Sequence, residues 1–164
     1  MTENFHRRVA ATSERLVLYG MLFSLSNRIQ TIGDSQFEDI TMKQHFLMIV
    51  LNMLAPYQPT LSETAAIVGC SYQNVKRMGA ELVKSGYLRI EPDVKDRRKQ
   101  RLVATDKFAR VNDAKQAMAE AFMNRLYDGL TDEQLSGAIA VLEKMDQNLG
   151  GEHHLPAQTT NDAI

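Results

Sequence analysis

A chain of 164 residues, 44% apolar and 24% charged, has the makeup of one folded domain, or of a small domain plus an oligomerisation element. No apolar run reaches the roughly 18 residues of a membrane span, and the opening stretch MTENFHRRVAATSERL lacks a secretory h-region. The single cysteine, Cys70, excludes an internal disulfide. A cytoplasmic protein with no membrane partner is expected. The net charge of −1 conceals a polarity: from Ser71 to Arg101 nine Lys and Arg stand against four acidic residues, while the remainder holds ten basic and sixteen acidic ones. A chain so divided can turn one face to a polyanion while the rest stays soluble.

In chain order, residues 1–8 are polar and expected to be disordered. A helix is predicted from about Val9 to Ile32, apolar on more than one face through Leu16, Val17, Tyr19, Met21, Leu22, Phe23, Leu25 and Ile29, and ended by Gly33-Asp34-Ser35. Thr41 and Gln44 have capping-box spacing at the head of a second helix, whose apolar run Phe46–Leu54 is stopped by Pro56. The same spacing recurs at Thr60 and Glu63, opening a short helix to Val68. Ser71 is the candidate N-cap of the next helix, and Gly86 its residue beyond the C-cap.

Between Tyr87 and Ala104 the period changes from 3.6 to 2. Leu88 and Ile90 alternate with Arg89 and Glu91, and Leu102 and Ala104 with Arg101 and Val103, which predicts two strands with one apolar face. Pro92 and Asp93 suit the turn between them. Residues 106–149 are helical again, with a break near Asp128-Gly129 and a capping box at Thr131 and Gln134. One stripe comprises Val111, Ala114, Met118, Ala121, Phe122 and Leu126, and another Leu135, Ala138, Ile139, Leu142, Met145 and Leu149. The polar tail, 150–164, is expected to be disordered.

Residues 60–105 contain the chemistry. Ala65, Gly69 and Val75 stand at helix-turn-helix offsets: a small residue for close approach, a glycine for a positive-φ turn, and an apolar plug on the second helix. On that second helix Val75, Met78 and Leu82 form the inward stripe. Ser71, Tyr72, Gln73, Asn74, Lys76 and Arg77 are left outward near the N-terminus. Asn and Gln suit adenine edges and Arg or Lys suit guanine, so this face fits a DNA major groove. Lys95, Arg97, Arg98, Lys99 and Arg101 crowd the hairpin that follows. The alternative for both features is a solvated charged surface.

Three motifs in this order resemble the MarR (multiple antibiotic resistance regulator) family of winged-helix transcription factors: ITMKQHFLMIVL (40–51), SYQNVKRMGAELVKSGYL (71–88) and DRRKQRLVAT (96–105). The resemblance covers roughly residues 10–149. Ala104 departs from the family's usual leucine, and Ile90 from its frequent arginine. The implied fold is mainly α with a small two- or three-stranded β wing, a winged helix-turn-helix plus helical dimerisation arms. In residue terms the DNA-binding domain is 36–105 and the dimerisation region is 9–32 with 106–149. The resemblance also implies that Arg98 enters the minor groove and is oriented by Asp96, while Arg97 and Lys99 contact phosphates. Two copies would intertwine their arms and set two recognition helices about 34 Å apart on a pseudo-palindromic site.

The expected function is a sequence-specific transcriptional regulator. It would act as a repressor on double-stranded DNA as a homodimer, relieved by a small apolar or aromatic effector. Tyr19, Met21, Phe23, Phe46 and Met53 are candidate effector-pocket residues, with plain core packing as their alternative. A winged helix used for protein interaction without DNA readout, or a DNA-binding regulator without ligand, are the competing functions. No phosphate loop or nucleophile elbow is present, so no enzyme and no cofactor are expected. His6, His45, His153 and His154 have no metal-site spacing, and no metal is expected. Cys70, beside the recognition helix, is read as a small hydrophobe rather than a redox switch, since no resolving cysteine exists.

Overall fold

The computed structural model describes residues 13–37 and 39–151, with backbone alone for 111–115. The segments 1–8 and 152–164, expected to be disordered, lie outside the described residues, as do residues 9–12 of the first predicted helix. The chain divides into two compact units, with the boundary at Phe46/Leu47.

The first unit holds α1, Glu14–Gln36, and the start of α2, Met42–Met53. Helix α1 does not end at Gly33-Asp34-Ser35 as predicted but runs on to Gln36. The glycine serves packing instead of termination. Gly33 is buried, and a Cβ on it would stand 2.7 Å from Met42 Sδ. Asp34 Oδ1 meanwhile accepts a hydrogen bond from Met42 N. The capping box at the head of α2 forms as expected: Thr41 N donates to Gln44 Oε1 at 2.8 Å, and Gln44 N to Thr41 Oγ1 at 3.3 Å.

The second unit continues α2 and adds α3 (Leu61–Val68), α4 (Tyr72–Lys84), β1 (Leu88–Pro92), β2 (Gln100–Ala104), α5 (Asp106–Tyr127) and α6 (Asp132–Asn148). Leu47, Val50, Leu61, Val75, Leu82, Leu88 and Leu102 are fully buried. Each contributes about 1.5–3 kcal/mol of hydrophobic free energy relative to exposure. Strands β1 and β2 pair antiparallel, with Leu88 opposite Ala104 and Ile90 opposite Leu102. An isolated bridge between Thr60 and Arg101, together with Leu102 N donating to Pro59 O at 3.3 Å, brings the segment before α3 alongside β2.

The predicted alternation holds in β1 only for Leu88 and Arg89, since Ile90 and Glu91 are both half-buried, and it fails in β2. Leu102 and Val103 are both buried and Ala104 is exposed. The ribbon therefore lacks the single wet face that strict alternation assumes. Gly79 on α4 is buried, and a Cβ there would sit 3.1 Å from Leu102 Cδ2. This glycine is what allows the wing to lie close against α4.

The segment just after α4, residues 85–87, is tied to the start of α5. Thr105 Oγ1 donates to the Gly86 and Tyr87 carbonyls at 2.8 and 3.0 Å. Lys107 Nζ donates to Ser85 O at 2.7 Å and lies 4.5 Å from the Tyr87 ring centroid. The break between α5 and α6 falls where expected, at Gly129 with φ 75°, followed by the Thr131/Gln134 capping box.

Candidate nucleic-acid interface

The turn between α3 and α4 follows from three residues. Thr60 and Glu63 form a full capping box at the head of α3, and Gly69 at its end adopts φ 68°, a left-handed geometry that glycine takes without strain. Ser71 then caps α4, its Oγ accepting from Asn74 N at 3.3 Å. Val75, Met78, Gly79 and Leu82 face inward. Ser71, Tyr72, Gln73, Asn74, Lys76 and Arg77 are all exposed. Arg77 Nη1 pairs with Glu81 Oε1 at 3.0 Å, one turn along its own helix. Cys70 is half-buried and lies 3.8 Å, Sγ to O, from the Ser71 carbonyl.

The wing loop is built by hydrogen bonds within residues 93–99. Asp93 N donates to Lys99 O at 2.9 Å and Lys99 N to Asp96 O at 2.8 Å. Asp93 Oδ1 accepts from Lys95 N at 2.8 Å and from Asp96 N at 2.7 Å. Asp96 Oδ1 accepts from both the backbone N and Nε of Arg98 at 3.2 Å. The Arg98 side chain is 92% exposed, so the aspartate holds a guanidinium that projects fully into solvent. Arg97 and Lys99 flank it and are exposed.

Arg101 belongs elsewhere. Charge counting placed it on the cationic edge, yet its side chain is only 19% exposed and is paired with the buried Asp93. It also donates to the Gln58 carbonyl and lies 5.6 Å from the Tyr57 ring centroid. Tyr57 Oη donates to Glu63 Oε1 at 2.8 Å, and Glu63 Oε2 accepts from Thr60 N and Thr60 Oγ1 at 2.7 and 2.8 Å. The backbone N–H of Asp96, with Arg101 and the Lys95 N–H adding to it, holds the Asp93 carboxyl below its ordinary pKa despite burial. The backbone N–H of Thr60 does the same for Glu63, whereas the Glu63 carboxylate raises the pKa of the Tyr57 phenol.

None of Tyr57, Gln58, Glu63 or Asp93 was singled out as a site residue from the sequence, and Arg101 was counted only among the basic residues of the hairpin. Their link joins positions 43 residues apart. The one local signal was Asp93, an acid at the mouth of a basic hairpin.

The candidate pocket residues do not form one cluster on α1. Tyr19 and Phe23 share a face, with ring centroids 5.0 Å apart in a T-shaped pair, while Met21 is two positions along and faces away from both. Phe46 and Met53 lie on one face of α2, and all five are exposed. Among the described residues no group of three or more His, Cys, Asp or Glu is placed to hold a metal ion. His6, His153 and His154 lie outside them, and His45 stacks on Phe37 with centroids 4.4 Å apart. No described helix is long and apolar enough to cross a membrane.

Solved structures with this arrangement include a MarR family transcriptional regulator from Streptomyces coelicolor in complex with DNA. Its TM-score is 0.75 at 19% identity, covering 88% of this chain and 97% of that one. A MarR protein from Peptoclostridium difficile matches at TM-score 0.72 and 22% identity, covering 87% and 92%. BpsR of Bordetella bronchiseptica, whose DNA binding is regulated by 6-hydroxynicotinic acid, matches at 0.66 and 19%, covering 77% and 91%. No family model matches the chain, and no curated protein does. The protein thus has the MarR-family winged-helix fold.

Proposed function

We propose that this protein is a sequence-specific, DNA-binding transcriptional regulator of the winged-helix type that acts as a homodimer and represses its target. The observation that carries this is the pairing of two exposed features within one compact unit. Polar side chains line the first turns of α4 over a fully buried apolar stripe, and Arg98 projects from the wing under the hold of Asp96. Helix α4 suits the major groove, where the exposed Gln73, Asn74, Lys76 and Arg77 would read base edges. Arg98 suits a narrow minor groove, and Arg97 and Lys99 the flanking phosphates.

Homodimerisation is supported by the apolar surface of the outer helices. In α1 only Gly33 is buried, while Leu16, Tyr19, Met21 and Phe23 are more than half exposed. In α6 no residue is buried, and Ile139, Val141 and Leu142 are about half exposed. Surface of this extent exceeds the single apolar residues that monomers normally expose. A second copy of the chain would cover it, making residues 9–32 and 106–149 the dimerisation region. An apolar or aromatic effector, with Tyr19, Met21, Phe23, Phe46 and Met53 as candidate contact residues, would relieve repression by changing the separation of the two recognition helices.

The test is selection of bound duplexes from a random DNA pool, followed by screening of small aromatic molecules for release. A recovered site with inverted half-sites about one helical turn apart supports the proposal. A protein that enriches no sequence, and captures proteins through α4 instead, overturns it.

A further inference from the structure

We propose that Asp93 and Arg101 are positioning residues of the wing, which hold its loop against the segment before α3 so that Arg98 is presented at a set distance from α4. The inference rests on the DNA-binding function proposed above. It concerns two residues that the groove-facing surface does not include.

Asp93 has its hydrogen-bonding atoms committed inward. Its N–H closes the loop on Lys99 O, one carboxyl oxygen ties the Lys95 and Asp96 N–H groups, and the other meets Arg101. The loop that carries Arg98 is thereby organised by a carboxylate that is 4% exposed. Arg101 then carries the constraint out of the hairpin. Its planar fork reaches Asp93 and the Gln58 carbonyl at once, with the Tyr57 ring beside it. Tyr57 passes it to Glu63, and Glu63 to Thr60, the cap of α3. A two-stranded hairpin alone is marginally ordered in water. This chain of contacts joins the wing tip to the helix-turn-helix that it must accompany onto DNA.

The sign of one substitution separates positioning from charge. Asp93→Asn removes a negative charge from a cationic edge, so electrostatics alone predicts tighter binding. The positioning role predicts the reverse, a loss of about tenfold. Arg101→Lys keeps the charge but cannot bridge Asp93 and Gln58 together, and should lose a similar factor, whereas a phosphate contact would survive that change. The measurement is fluorescence anisotropy on the selected duplex at fixed salt, for both variants alone and combined with Arg98→Ala. If the two residues act through Arg98, they add no further loss in that background. Amide hydrogen exchange without DNA completes the test: residues 95–99 should exchange faster in Arg101→Lys while α4 keeps its protection.

Tighter or unchanged binding by Asp93→Asn, retained affinity in Arg101→Lys, additive losses, or unchanged exchange at the wing each overturn the proposal. Should Asp93→Asn fail to fold, Arg101→Lys carries the test by itself. Loss in Arg98→Ala without loss in Asp93→Asn defeats only the positioning role. Unaltered binding in Arg98→Ala defeats the wing's part in DNA binding as well.

Discussion

Arg98 and Arg101 stand three positions apart on one ribbon and have opposite surroundings. One is 92% exposed and steadied by Asp96, the other enclosed by Asp93, Gln58 and Tyr57. Sequence spacing marked both as basic hairpin residues. It could not separate them, because two of the groups that enclose Arg101, Gln58 and Tyr57, come from a loop some 43 residues earlier. Arg98→Ala is expected to cost about 1–3 kcal/mol of DNA binding with an unaltered melting curve, checked by gel shift and circular dichroism. The same network sets an acid and an alkaline limit. Asp93 and Glu63 sit below their ordinary pKa values, so their ionised forms favour the fold. That contribution is complete above unfolded values of about 3.9 and 4.3 and is lost as pH falls through the lower native ones. Tyr57 is shifted upward, so its neutral form favours the fold, in full below about pH 10 and lost as pH rises past its native value. Urea titrations should find the stability deficit of Glu63→Gln level from about pH 5 to 9 and shrinking below about pH 4. A deficit that grows on acidification would contradict this assignment.

At the scale of elements, the helix starts were the most legible feature. Thr41/Gln44, Thr60/Glu63 and Thr131/Gln134 all form reciprocal caps, since a capping box needs only residues three apart. Ser71→Ala should therefore cost about 0.5–2 kcal/mol, and Gly69→Ala about 1–2 kcal/mol because φ there is 68°. Thermal unfolding would measure both, and a neutral Gly69→Ala would mean that the turn relaxes. The element readings that departed from the structure did so for non-local reasons. Gly33 looked like a terminator until Met42 was placed against it. Val103 was given to the wet face of a ribbon that is covered on both sides at that point.

For the whole molecule, the proposed dimer binding two half-sites would neutralise about 6–10 phosphates, and so should lose roughly 10³–10⁵ in affinity between 50 and 200 mM salt. A flat response in a salt titration would remove the cationic edge from the mechanism, and a single-chain mass by sedimentation would leave the exposed faces of α1 and α6 unexplained. What the residue string determined by itself is everything written in short-range or periodic code. This covers the helix caps, the switch from period 3.6 to 2 at Tyr87, the inward stripe Val75-Met78-Leu82, and the concentration of positive charge between Ser71 and Arg101. What only the tertiary structure decided is which of those charges are available. Asp93 meets Arg101 within one hairpin, but pairing Arg101 with Gln58 takes a long-range strand bridge to bring the groups within reach, and no local spacing rule encodes a contact whose two sides are brought together only by folding.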